Sequence, residues 1–249
     1  MLLAGLRSPA EAGIYGPVAV LAPLFGVGLG ALNGAFAPLI AKKHADGDMM
    51  GLQELYRVVT RWAVILAIPP VAIALASPMS LLSPWPGATA EAASALQIAA
   101  LGQLLCTAVG SVNYLLIMCG RQRDTLYNAL PAVGLNLVAS LLLIPKYGVV
   151  GAALANAAAT GLANLLGLLQ VFRHLHIHPF SRSLVRPLVA GIVPFCAAFA
   201  GDFFFFFWWA TLAVAGGLGG GGFLAVYAGM GLDPGDRQML DMVRRKFGR

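Results

Sequence analysis

Charge is scarce in this chain: Asp, Glu, Lys and Arg together make up 10% of its 249 residues, while 59% are hydrophobic. Soluble domains carry about 25% charged residues, and a mean hydropathy of +0.81 agrees that this is not a chain built to meet water on all sides. Cysteine is scarcer still. The three, Cys106, Cys119 and Cys196, all lie in apolar stretches, the first two in the same one. That excludes a disulfide framework or a CxxC metal site. Catalytic signatures are missing as well: there is no GxSxG, HExxH, phosphate-binding loop or pair of carboxylates, so the chain is expected to be no enzyme and to need no cofactor or metal. No Asp, Glu, Lys or Arg falls deep within an apolar stretch. Ion coupling through an intramembrane carboxylate is therefore disfavoured in this part of the chain.

What the chain has in abundance is long apolar sequence. Seven charge-free stretches cover residues 12–41, 62–90, 92–120, 125–145, 147–172, 187–201 and 203–232. A helix needs roughly 20 residues to cross about 30 Å of hydrocarbon, and six of these exceed that. The exception, 187–201, reaches it if Ser183, Leu184 and Val185 are included and Arg186 snorkels to the headgroups. The expectation is an all-α, polytopic membrane bundle of about seven transmembrane helices. Threaded alternately, they leave only Arg7 and Lys146 on one side, against fourteen of the sixteen Lys and Arg on the other. The positive-inside rule makes the second side cytoplasmic, with the N-terminus outside and the C-terminus inside. A net charge of +6 is then accounted for by topology and an anionic lipid leaflet, and nucleic acid is not expected as a partner.

Finer features follow from local sequence. Pro17, Pro23 and Pro38 with Gly26, Gly28, Gly30 and Gly34 predict a bent first span, and Gly30 with Gly34 forms a GxxxG that permits close approach of another helix. Leu52, Leu55, Tyr56 and Val59, interleaved with Glu54, Arg57 and Arg61, predict an amphipathic segment at the cytoplasmic surface that runs into a second span kinked at Pro69 and Pro70. Residues 92–120 read as one helix. Pro145 and Gly148 predict a tight outer hairpin between the fourth and fifth spans. The fifth presents small residues on two faces, Gly151, Ala155, Ala159 and Ala153, Ala157, Gly161. His174, His176 and His178 form an HxHxH read as an interfacial linker in preference to a metal site. Phe203 to Phe207 with Trp208 and Trp209 read as an outer aromatic belt.

Several runs resemble a known family. In order, these are Ala12 to Gly16 (AGIYG), Phe36-Ala37-Pro38-Leu39-Ile40, Gly47-Asp48, Leu55-Tyr56-Arg57 and Val59-Thr60-Arg61-Trp62. Gly120-Arg121, Leu135-Asn136-Leu137 and the run from Leu143 to Ala153 (LIPKYGVVGAA) follow. The ordered set resembles the polysaccharide biosynthesis and O-antigen flippases of the multidrug, oligosaccharidyl-lipid and polysaccharide exporter superfamily. That resemblance implies a two-lobe transporter working by alternating access on a polyprenyl-diphosphate-linked glycan in the cytoplasmic membrane. It covers the C-terminal half only, so the chain is expected to be a fragment or to pair with a separate N-terminal lobe. On this reading, 1–13 is the remnant of a preceding helix and outer loop and 14–175 a five-helix lobe. Residues 176–232 are two peripheral transmembrane helices, and 233–249 is a cytoplasmic tail.

The resemblance also orders the candidate substrate-path residues. Asn33 comes first because its helix would lie at the lobe interface; Asn113 and Asn136 follow, with Asn128, Asn156 and Asn164 behind them. Arg121 and Arg123 would meet the diphosphate at the inner mouth, since arginine binds such groups in bidentate fashion. The competing structural role for the asparagines is hydrogen bonding between helices. Competing functions are a cation-coupled multidrug exporter, or a non-transporting scaffold for glycan-assembly enzymes.

Overall fold

The computed structural model describes residues 2–180, 184–204 and 220–229. Among them every regular element is a helix, and four helical runs are long and apolar enough to cross a membrane: Pro9–Ala45, Met49–Ala76, Ala90–Val109 and Gln122–Leu175. A multi-pass membrane protein fits this architecture. The chain opens with α1 (Leu2–Leu6) and α2 (Pro9–Leu21), followed by a 3-10 turn (Ala22–Gly26) and α3 (Val27–Ala45). Ser8 accepts from the Glu11 N–H and Pro9 sits at the first helical position, so α2 starts before the charge-free stretch does. Where the first span was expected to bend, the α-helix gives way to the 3-10 turn at Pro23.

Helix α4 (Met49–Ala76) is continuous through Pro69 and Pro70. The apolar side of its amphipathic start faces protein: Leu52, Leu55, Tyr56 and Val59 are buried against Phe36, Ile40, Leu115, Val171 and Leu175. Charge and periodicity cannot distinguish an apolar stripe facing lipid headgroups from one facing protein, and here the neighbouring helices cover it. A short α5 (Pro78–Leu82) leads to α6 (Ala90–Val109). The single helix expected over 92–120 is broken at Gly110, which adopts φ 81 and ψ −159, and resumes as α7 (Val112–Met118).

Helix α8 (Gln122–Leu175) is a hairpin. Gly148 interrupts it at φ 54, ψ −125, and Asn128 Nδ2 reaches Gln170 Oε1 at 2.7 Å although they lie 42 positions apart in sequence. A straight helix would hold them roughly 63 Å apart at 1.5 Å per residue, so the arms 122–147 and 149–175 run antiparallel. Gly151, Ala153, Ala155 and Ala159 are buried along the second arm, and Ala157 Cβ comes to 3.0 Å of where a Cβ would stand on Gly102 of α6. One small-residue face is thus used in full, while Gly161 on the other has open space around it.

Past the hairpin, α9 (Val185–Ala190) and α10 (Ile192–Phe204) replace the sixth span, with a break at Gly191, and α11 (Gly220–Gly229) covers part of the seventh. Leu184, Ala190 and Phe223 from this region pack on Val64, Ile65 and Ile68 of α4. The aromatic belt beyond Phe204 and the tail 233–249 lie outside the described residues.

Besides that cluster on α4, two larger apolar ones hold the bundle. One gathers Val18, Phe25, Val71, Leu96, Ile144 and Val149, the other Phe36, Leu52, Val59, Val112, Leu115 and Val171. The buried polar side chains Thr107 and Ser111 lie where α6 leaves the first cluster and α7 enters the second.

Candidate functional site: a polar cleft beside a broken helix

A cleft of about 540 Å³ opens between α2, the 3-10 turn, α6 and the second arm of α8. Tyr15, Gln103 and Asn156 supply its polar groups, among Ala19, Ala22, Pro23, Gly26 and Val27. The first span makes this possible: Pro23 starts a tight turn, and Gly26 leaves room for the Gln103 amide, which any Cβ at that position would overlap. Below the cleft the polar character continues along one face of α8, because Asn156, Thr160 and Asn164 recur every fourth residue. The Thr160 hydroxyl donates to the Asn156 carbonyl at 2.8 Å, and Asn164 Nδ2 to the Thr160 carbonyl at 2.9 Å. These side chains satisfy part of their hydrogen-bonding capacity on their own helix. Asn156 stays exposed, and an exposed amide within an apolar span is costly against lipid.

The interior of the bundle holds a second polar group, at the α6–α7 break. Ser111 Oγ donates to Asn33 Oδ1, and the Tyr56 hydroxyl donates to the Val109 carbonyl at 2.7 Å. Breaking a helix frees carbonyls that in lipid must be satisfied from within the protein, and Tyr56 answers one of them. Gly110 is required here on two counts: its φ is positive, and a Cβ would overlap Thr60 Oγ1 and approach Tyr56 Cε2 to 3.0 Å. Thr60 is 0% exposed.

Charged groups collect at the two ends of the bundle. At one, Arg7 and Lys146 meet Glu11 and Glu91 around Gly148. At the other, Asp124 Oδ2 lies 3.6 Å from Arg121 and 3.4 Å from His174 Nε2, Arg57 donates to His178 Nε2 at 3.1 Å and Lys43 pairs with Asp48 at 2.8 Å. Asp48 caps α4 through the Gly51 N–H; the Lys43 hydrogen bond, then the Gly51 one, hold its carboxyl below the usual range. Arg61 is different. It is buried at 4% exposure within the bundle.

The residues expected to line a path separate in three dimensions. Asn33 is at 5% exposure and engaged with Ser111, inside the bundle instead of on the cleft. Asn113 sits beside Gly167, and Asn136 makes only a 3.5 Å contact with Ser140 one turn along its own helix. Asn128 is buried in the hairpin. Arg121 and Arg123 are both exposed at the end of the bundle. Asn156 is the expected residue that the structure puts on the cleft; Tyr15 and Gln103 join it. Gln103 was legible as an amide in an apolar stretch, and Tyr15 only as a member of the AGIYG run. The three histidines of HxHxH diverge: His174 goes to Asp124, His178 to Arg57, and His176 ends the helix in a left-handed conformation with its ring edge-on to Phe172. Among the described residues no group of three His, Cys, Asp or Glu side chains is placed to hold a metal ion. No family model matches the chain, and no curated protein does.

Proposed function

We propose that this chain is one lobe, the C-terminal half, of a transporter that flips lipid-linked oligosaccharides or polysaccharides across the cytoplasmic membrane by alternating access. The observation that carries the reading is the polar face formed by Gln103, Asn156, Thr160 and Asn164 on helices that are otherwise apolar enough to span a membrane. Amides on such a face call for a water-filled path or a protein partner. A sugar head group, rich in hydroxyls, suits a neutral amide-lined surface. The opposing surface would come from a second lobe, as in other transporters that place substrate between two halves. The polyprenyl tail would stay in lipid, against exposed residues such as Leu130, Val133 and Leu142.

The distribution of charge supports an orientation with Arg7 and Lys146 outside and the end holding Lys43, Arg57 and Arg121 in the cytoplasm. The test is surface glycan in cells that depend on this chain. Gln103→Leu with Asn156→Leu should abolish surface glycan while protein level in the membrane stays unchanged. Full surface glycan in that double variant sinks the proposal. Loss of resistance to cationic drugs with glycan intact would instead favour a drug exporter.

A further inference from the structure

The end of the bundle marked by Gly148 holds a pocket of about 300 Å³, walled by Arg7, Glu11, Glu91, Lys146, Tyr147 and Gly148. Its construction follows from local sequence. Ser8 and Pro9 start α2 so that Glu11 falls in the first turn, four residues before Tyr15 of the cleft. Pro145 and Gly148 form the tip of the α8 hairpin, and Glu91 opens α6 after the Thr89 cap. Gly148 brings bare backbone to the pocket, since a Cβ there would stand 3.0 Å from Glu11 Oε2.

Arg7 is held in place from two directions. Its Nε donates to the Ile144 carbonyl at 3.3 Å, and its Nη1 lies 3.7 Å from Glu11 Oε1. The second Glu11 oxygen, Oε2, is shielded from solvent and has no hydrogen-bond partner. A carboxylate oxygen in that state is costly unless a donor arrives from elsewhere. The lining is balanced in sign, with Arg7 and Lys146 against Glu11 and Glu91. An anion alone would meet two carboxylates, and a cation alone would meet two permanent positive charges. A ligand carrying both signs matches both pairs.

Size and position narrow the ligand. The volume is at the bottom of the range of small-molecule pockets, about 300–1,000 Å³, which suits a compact group and leaves no room for a sugar chain. The pocket sits at the tip between two arms each long enough to cross hydrocarbon, and so at headgroup depth, where Tyr147 is also at home.

We propose that this pocket binds the headgroup of phosphatidylethanolamine, its phosphate against Arg7 and Lys146 and its primary ammonium donating to Glu91 and to the Glu11 carboxylate. Because Glu11 Oε2 is turned from solvent against Gly148, the carboxylate rotates on binding to give its unpartnered oxygen to the ammonium. The proposal rests on the membrane placement argued above and is independent of whether the chain moves a glycan.

The experiment measures binding of short-chain phosphatidylethanolamine, phosphatidylcholine and phosphatidylglycerol, and of free phosphoethanolamine, to the purified full chain in detergent by native mass spectrometry. Phosphatidylethanolamine should bind about tenfold more tightly than the other two lipids, the size of one charge-assisted hydrogen bond. Phosphatidylcholine has no N–H to give Glu11, and phosphatidylglycerol has no cation. Glu91→Gln, at an exposed position that does not threaten folding, should remove most of that preference, weakening phosphatidylethanolamine and relieving phosphatidylglycerol of one repulsive carboxylate; Lys146→Gln should weaken both lipids. Equal binding of the three lipids, or an unaltered preference in Glu91→Gln, overturns the proposal. Free phosphoethanolamine binding as tightly as the lipid overturns the assignment to a lipid. Since the readout is binding alone, failure here leaves the transport reading standing, and absent glycan transport leaves this one standing.

Discussion

Asn128 donates its side-chain N–H to Gln170 Oε1 at 2.7 Å, joining the two arms of α8 near the end away from Gly148. Asn128→Leu strands the Gln170 amide beside an apolar group and should lower stability by about 1–2 kcal/mol. The double change with Gln170→Leu should recover most of that loss. Thermal unfolding in detergent checks both.

The same antiparallel arrangement brings Asp124 and His174 within 3.4 Å. With Cys106, Cys119 and Cys196 changed to Ser, cysteines introduced at 124 and 174 should cross-link on mild oxidation. A pair placed at 124 and 150 should not, because those positions lie at opposite ends of an arm about 39 Å long. Gel mobility after cleavage between the arms reads the outcome, and cross-linking of the distant pair alone would contradict the hairpin.

Gly110→Ala should be among the most damaging single-methyl changes in the chain. It sets a Cβ in an extended positive-φ conformation that only glycine adopts readily, costing about 1–3 kcal/mol, and drives it into the Thr60 hydroxyl. Thr60→Ala should rescue part of the loss only, since Thr60 Cβ and Tyr56 Cε2 would still stand 3.1 and 3.0 Å away. Denaturation midpoints of the three variants give the order.

Asn33 and Gln103 should fail in different ways. Asn33→Ala leaves the buried Ser111 hydroxyl without its acceptor and should cost about 1–2 kcal/mol of stability. Gln103→Leu, on the cleft, should leave the unfolding temperature near that of the parent and reduce surface glycan. Measuring both properties in both variants separates a structural asparagine from a path-lining glutamine.

The pairing of Asp48 with Lys43 and the Gly51 N–H sets the sign of one pH effect. The carboxyl is held below its usual value in the folded chain, so its contribution to stability is complete above the unfolded value, near pH 4. It is lost as pH falls through the folded value. The difference in unfolding temperature between the parent and Asp48→Ala should therefore hold from pH 7 to about 5 and shrink below pH 4.

Much of the fold was legible because apolar length and strong punctuation coincide. Pro145 and Gly148 sit between two charge-free stretches, and the chain reverses there. Pro23 and Gly26 announced the bend that became the 3-10 turn. The Gly110 break was not legible, because Gly110 is one of 30 glycines and apolar sequence continues on both sides. What makes it a break is the pair Tyr56 and Thr60 packed opposite, more than 40 residues away in the chain. What the α4 stripe packs on was hidden for a similar reason: Leu52 to Val59 has the same pattern whether its apolar side meets headgroups or the Val171–Leu175 turn. Among the asparagines, type and apolar context were visible and direction was not. Asn33 turns inward and Asn156 outward, a difference set by helix rotation that only neighbouring helices determine.

The hairpin has a consequence for how the chain enters a membrane. Its arms are consecutive in sequence, so Asn128 and Gln170 can meet as soon as both have been synthesised, without waiting for the rest of the bundle. Two amides that would each resist insertion alone can be delivered already bonded to one another. The pair should then partition as a single unit, and a variant that delays the turn at Gly148 should stall at integration into the bilayer before any effect on the finished fold could be seen.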